Sequence, residues 1–145
     1  MNKELKDKFY ISTDKSKLDI KIIHDFLKAS YWAESIPLAT VEKSINNSLC
    51  FGLYQGNQQV GFARVITDYA TSALLKDVFI LEPYRGKGLG KWFVKYILEY
   101  PELQDVQRWL LGTKDAHGLY RRYGFKNLTE PEKMMMRLNP NTDQT

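Results

Sequence analysis

One cysteine, Cys50, stands alone among 145 residues. A lone thiol excludes an intrachain disulfide and a cysteine-built zinc cage. The two histidines, His24 and His117, are too few for a histidine-rich metal site, so no metal is expected. No apolar run approaches the roughly 20 residues that span a membrane. Met1–Lys8 is charged and polar and lacks the apolar stretch of a secretory signal, which makes the cytoplasm the expected location and a membrane no expected partner. No single sign of charge dominates either. The net charge of +4 suits a small anionic ligand. Acids such as Glu99, Glu102 and Asp105 interrupt the cations, so there is no basic stripe and nucleic acid is not an expected partner. Repeats, low-complexity tracts and internal linkers are missing as well. What is present is 43% hydrophobic and 26% charged residues, the balance of one globular domain over 1–145. Asn139–Thr145 reads as a loose polar tail.

The elements alternate along the chain. Phe9–Ser12 reads as a first strand. Leu18, Ile22, Phe26 and Leu27 recur at helical spacing within Leu18–Tyr31. Pro37 interrupts, and Val41–Ser48 reads as a short helix with Thr40 as its N-cap. Ser48–Tyr54 and Gln59–Thr67 are β-rich, and Gln55-Gly56-Asn57 between them is turn chemistry, which makes a hairpin. Ala73–Leu81 is mostly apolar and reads as a strand buried on both faces. Gly88–Tyr100 carries Leu89, Phe93 and Ile97 four residues apart, a helix. Val106–Leu111 reads as a strand, Ala116–Tyr123 as a helix and Lys133–Leu138 as a final strand. The fold class is α/β (α+β): a central mixed, mainly antiparallel sheet flanked by helices.

Between the third long strand and its helix lies Glu82-Pro83-Tyr84-Arg85-Gly86-Lys87-Gly88-Leu89-Gly90-Lys91. Glycine lets backbone N–H groups approach an anion with no Cβ in the way. A helix N-terminus adds unpaired donors and the positive end of a dipole. With Arg85, Lys87 and Lys91, the stretch reads as a pyrophosphate cradle. It is not a P-loop, because three residues rather than four separate Gly86 from Gly90 and Trp92 follows Lys91. The dinucleotide Gly-x-Gly-x-x-Gly spacing is absent too.

Arg85-Gly86-Lys87-Gly88-Leu89-Gly90 resembles the Arg/Gln-x-x-Gly-x-Gly/Ala signature of the GNAT superfamily of acyl-CoA-dependent N-acetyltransferases. Ala116-His117-Gly118-Leu119-Tyr120-Arg121-Arg122-Tyr123-Gly124-Phe125 is similar to that family's Ala-x-x-Leu-Tyr-x-x-x-Gly-Phe block, in the expected order. The resemblance covers nearly the whole chain and implies acetyl-CoA as cosubstrate. It implies that N–H groups from Gly86 to Gly90 hold the CoA pyrophosphate and that backbone near Phe79, Ile80 and Leu81 pairs with the pantetheine arm. It further implies that this strand splays from Val106–Gly112, and that an N–H of Phe79 or Ile80 receives the acetyl oxygen. Tyr120 matches the family's tyrosine beside the CoA sulfur and would protonate the leaving thiolate; its alternative role is core packing.

Other residues carry two readings each. Asp115 is an N-cap or a pantetheine neighbour. Asp77, an acid among apolar residues, is a base or amine anchor, or half of a buried ion pair with Lys76 or an arginine elsewhere. His24 and His117 are alternative bases. Tyr31, Trp32 and Glu34 form an acceptor pocket, the aromatics meeting a cation face-on, or they belong to a hydrophobic hinge. Trp109 is a site wall or core. Met134-Met135-Met136 packs an end strand or a dimer surface. The function expected is N-acetylation of a primary amine, small-molecule or peptide, by direct attack in a ternary complex. The alternative is a non-catalytic acyl-CoA-binding or sensor module of the same fold, with a homodimer possible for either.

Overall fold

The computed structural model describes residues 3–140. Residues 141–145 of the expected tail, and Met1 and Asn2, lie outside them. The described elements are, in order, α1 (Lys3–Lys8), β1 (Tyr10–Ser12), α2 (Ile20–Lys28), α3 (Leu38–Asn46), β2 (Leu49–Gln55), β3 (Gln58–Thr67), β4 (Ser72–Ile80), α4 (Leu89–Leu98), β5 (Arg108–Leu111) and α5 (His117–Arg121). The strands form one sheet in the order β1-β2-β3-β4-β5. The first three pairings are antiparallel, and β4 with β5 is parallel. The mixed, mainly antiparallel sheet with flanking helices is the expected fold class.

Period-two alternation sends side chains to two cores. Phe51, Leu53, Ala63, Val65, Ala73 and Leu75 meet α4 through Leu89, Phe93, Val94 and Ile97. Cys50, Phe62 and Phe79 meet α2 and α3 on the other face, through Ile23, Leu27, Val41 and Ile45. Phe62 and Phe93 are fully buried, and burying a side chain of that size stabilises by about 1.5–3 kcal/mol. Helix α2 begins at Asp19, whose carboxylate accepts the Ile22 N–H at 3.2 Å. The Asp19 N–H is itself held by the buried Gln59 side chain at 2.7 Å, which fastens the helix to β3.

One irregularity in β4 positions everything that follows. Phe62 faces Phe79 and Arg64 faces Lys76, so Ala63 opposes both Asp77 and Val78. This is a β-bulge, and Asp77 occupies it at φ 55°, left-handed backbone that aspartate tolerates better than most residues. The extra residue inverts the alternation, since a one-residue slip moves side chains to the opposite face. Ala73 and Leu75 therefore point to α4, whereas Phe79 points to α2 and α3.

Several sequence expectations are corrected. The strand at 73–81 is not buried on both faces: Lys76 is exposed and Leu74, Val78 and Ile80 are only half-buried. Apolar residues fall on both sides of Lys76-Asp77 because the alternation inverts at the bulge. Helix α3 starts at Leu38 with Pro37 at its cap, so Thr40 lies inside it. No strand forms over Lys133–Leu138. Met135 and Met136 are exposed rather than packed in a core; Met134 touches Arg108 at the start of β5 and the stretch does not pair along that strand.

Candidate active site at the β4–β5 divergence

Strands β4 and β5 pair only from Ser72↔Arg108 to Leu75↔Leu111. Beyond Leu75, β4 runs through the bulge to Ile80 while β5 stops, so the two strands part and leave one edge of β4 open. Ladder geometry says which groups face that opening. The Leu81 N–H donates to Val60 O at 2.8 Å, and Phe79 is in register with Phe62. Residues two apart share a direction, so the Phe79 amide is spent on β3 whereas the Ile80 amide faces the open side. The Ile80 carbonyl accepts the Arg85 Nε–H at 2.8 Å, which ties the cationic loop back to the end of β4.

The loop and α4 form the next wall. Gly86 and Gly88 stand at φ 80° and 83°, left-handed backbone that glycine enters freely and other residues rarely. Gly88 caps α4 without a side-chain hydrogen bond. The first intrahelical donor is the Trp92 N–H, to Gly88 O. The amides of Leu89, Gly90 and Lys91 thus have no partner within the helix, as at any helix start. A Cβ on Gly90 would meet nothing nearer than the Leu119 side chain at 3.9 Å, so packing does not require glycine there. The missing side chain leaves the approach to the helix end clear. Arg85, Lys87 and Lys91 are exposed around it.

The segment between α2 and α3 bridges the mouth of the opening. Trp32 Nε1–H donates to Asp77 Oδ1 at 2.9 Å on β4. Tyr31 accepts the Lys114 N–H at 3.1 Å on the far side, just after β5. The two rings meet edge-on, and Lys114 Nζ lies 5.3 Å from the Tyr31 ring centre. Phe26 stacks on Phe79 at 4.0 Å beneath them. A recess of about 570 Å³ lies between α2, Tyr31, Trp32 and Leu81. Tyr31, Trp32 and Asp77 are therefore brought together, while Glu34 is exposed and has no hydrogen bond or ion pair among the described residues.

Asp77 is the acidic half of a buried ion pair. Its Oδ2 accepts the Arg64 Nε–H at 2.9 Å, with side chains only 7% and 10% exposed. Arg64 also donates to Ser48 Oγ at 3.1 Å. Both carboxylate oxygens thus hold a proton donor. His24 is likewise engaged, its Nε2 at 2.8 Å from Ile36 O. His117 opens α5 beside the groove along β5. Asp115 is exposed and does not cap α5; the cap position is Ala116, whose N–H donates to Thr113 Oγ1 at 3.0 Å. Trp109 is half-buried, packed against the core and lining the same groove.

Tyr120 is 8% exposed on α5. Burial, with the Tyr31 phenol nearby, pushes its pKa up to about 12. The phenol therefore keeps its proton at neutral pH. Cys50 is buried, and burial raises its thiol to about 11, so it is neither exposed nor ionised as a nucleophile must be. Burial also raises Tyr54 to about 12, and its hydroxyl is buried without a partner. Both tyrosines bind their protons more tightly folded than unfolded. Their contribution to stability is complete below about pH 10, the unfolded value, and is lost as pH rises through 12. The midpoint of urea unfolding should therefore fall between pH 10 and 12. The fall should be shallower in Tyr54→Phe and Tyr120→Phe, and an unchanged slope in both variants would contradict it.

Sequence reasoning missed Arg64 and Lys114. Arg64 had a signal, a lone cation in the apolar run Gly61-Phe62-Ala63-Arg64-Val65-Ile66. Lys114 had none, since its contribution is a backbone amide.

Residues 46–127 match the acetyltransferase (GNAT) domain. The FG08082 protein of Gibberella zeae, to which acetyltransferase activity is ascribed, is 29% identical over 87% of this chain and 84% of its own length. The solved structure of xcc2953, a GNAT-family protein of Xanthomonas campestris pv. campestris, superposes with a TM-score of 0.87 at 48% identity. That match covers 91% of this chain and 94% of the other. A GNAT family acetyltransferase of Elizabethkingia anophelis, solved with acetyl-CoA bound, shares the fold at a TM-score of 0.63 and 17% identity, over 83% of this chain and 77% of its own.

Proposed function

Given that the chain belongs to the GNAT acetyltransferase family, we propose that it transfers an acetyl group from acetyl-CoA to a primary amine by direct attack within a ternary complex. The observation that carries the reading is the uncapped, side-chain-free start of α4. Unpartnered amides, a dipole end and three exposed cations make a site for a pyrophosphate. Acetyl-CoA supplies the acyl group on a thioester.

The chain's own residues divide the remaining work. The amides of Gly86 to Gly90 with Arg85, Lys87 and Lys91 hold the diphosphate. The open edge of β4 at Ile80 lies along the path of the pantetheine arm and offers the Ile80 N–H to the acyl oxygen. As the C–N bond forms and the C–S bond breaks, Tyr120 delivers its proton to the sulfur that leaves; the proton shed by the amine nitrogen passes to solvent, from which Tyr120 is reprotonated. Tyr31 and Trp32 wall the side from which the amine enters and hold it in line. With both oxygens already accepting hydrogen bonds, Asp77 fixes Trp32 and the bulge, a positioning role, rather than taking the amine's proton. The buried, neutral Cys50 favours direct transfer over an acetylated enzyme.

Calorimetry with acetyl-CoA and a panel of amines with products read by mass tests this. Acetyl-CoA should bind and raise the melting temperature. Gly90→Ala should keep or raise the thermal stability, by up to about 1 kcal/mol from helix propensity, while weakening acetyl-CoA binding. Gly88→Asp should abolish binding. Unchanged affinity in both variants would remove the cradle from the start of α4. Tight binding with no product from any amine would leave the non-catalytic module.

A further inference from the structure

The recess of about 570 Å³ beside Tyr31 and Trp32 has walls of one chemistry. Ile22, Phe26, Ala29, Trp32 and Leu81 line it. Phe26 and Leu81 also pack against the core under α2. Ile22 does not. It is half-buried and, among the described residues, packs into neither core. Ala29, at the end of α2, is exposed, and Trp32 is 37% exposed. The fold leaves apolar surface uncovered here, and a contiguous patch of that kind marks a place where something binds.

The polar side chains of the recess are engaged elsewhere. Ser30 Oγ–H donates to Leu27 O at 2.7 Å, and the same oxygen accepts the Ala33 N–H at 3.2 Å. The Tyr31 hydroxyl accepts the Lys114 N–H. Asp25 is held by Lys21 at 2.6 Å and by Lys28 at 3.3 Å, two cations against one carboxylate. Glu34 lies on the neighbouring segment but does not line the recess. A charged group entering there would shed water and find no partner. The surplus positive charge beside Asp25 would repel a second ammonium in particular.

Position decides what enters. Phe26 and Leu81 belong to the α2–α3 face of the sheet. Leu89, at the start of α4, and Tyr120 belong to the other face. The donor groups and the recess thus lie on opposite faces and meet at the open edge of β4, where Leu81 follows Ile80. We infer that the recess receives the non-reacting arm of the acceptor, and that the acceptor is a primary amine carrying an uncharged alkyl or aryl arm. The inference rests on the acetyl-transfer reading and narrows its acceptor. A methylene moved from water into such walls is worth up to about fourfold in kcat/KM.

The test runs straight-chain primary amines from ethylamine to hexylamine on the full-length protein with acetyl-CoA. Amine binding is measured in parallel by calorimetry with CoA present. In the parent, kcat/KM and affinity should climb with each methylene, and hexylamine should exceed 1,6-diaminohexane by about tenfold or more. Ala29→Phe fills the recess and should flatten the series. Ile22→Glu puts a carboxylate on its wall and should turn the preference toward the diamine. A flat series in the parent, or a climb that survives Ala29→Phe, overturns the inference. So does a loss of acetyl-CoA affinity in either variant, which would give the recess to the donor. Short amines acetylated with a flat series would sink the recess and keep the acetyl-transfer reading. Hexylamine bound in an Ala29-dependent way but never acetylated would keep the recess as an amine site and sink that reading.

Discussion

Asp77→Asn is expected to destabilise the protein by about 3–5 kcal/mol, the cost of leaving one partner of a buried ion pair uncompensated. Asparagine is the informative choice. It tolerates the left-handed backbone at this position, and its carbonyl can still accept the Trp32 Nε1–H. What it removes is the negative charge facing Arg64, whose side chain is 10% exposed. The guanidinium then faces a neutral amide in a place water hardly reaches. Urea unfolding measures the loss, and Arg64→Met/Asp77→Asn should recover much of it, because removing both charges removes the orphan. A single variant within about 1 kcal/mol of the parent would mean that the pair behaves like an exposed one. In catalysis, kcat/KM for the amine should fall further than affinity for acetyl-CoA, because the carboxylate holds Trp32 at the mouth and touches no part of the donor cradle. Equal losses in both would relocate its influence to the sheet as a whole.

Tyr120→Phe is expected to lower the single-turnover rate about 100-fold or more, the usual scale of one positioned proton donor, with acetyl-CoA affinity nearly intact. Phenylalanine keeps the ring in its edge-on contact with Phe125 and deletes only the hydroxyl, so packing is conserved. Single turnover is the right measurement because product release can mask a chemical step at steady state. With the phenol raised to about 12, the parent should show no loss of rate from this group up to pH 10. An unchanged single-turnover rate in the variant would return Tyr120 to the core it also belongs to.

Most of the order of elements and the glycine loop were legible because each rests on local chemistry, and the second motif was legible by its resemblance to the family's block. Helical spacing in Leu89, Phe93 and Ile97, turn residues at Gln55-Gly56-Asn57 and glycines flanked by cations need no knowledge of what lies across the fold. The bulge was not legible. An aspartate in an apolar strand announces only that it needs a partner, and the partner, Arg64, is fixed by a register that two strands set together. The opposed anchors of Tyr31 and Trp32, one on Lys114 and one on Asp77, are long-range for the same reason.

The final strand shows the boundary most clearly. Lys133–Leu138 has the composition of a strand, and composition determines what a segment is able to pair with. Whether it pairs depends on an unoccupied edge being within reach along the chain. Local sequence thus determined most of the elements, the glycine-rich turn into α4 and the family the chain belongs to. Tertiary structure alone decided the inversion of β4 at Asp77, the anchoring of Tyr31 and Trp32 across the cleft, and the unpaired course of Lys133–Leu138. Each of those depends on where distant backbone ends up, and strand register and chain direction are properties of pairs of segments that no single segment encodes.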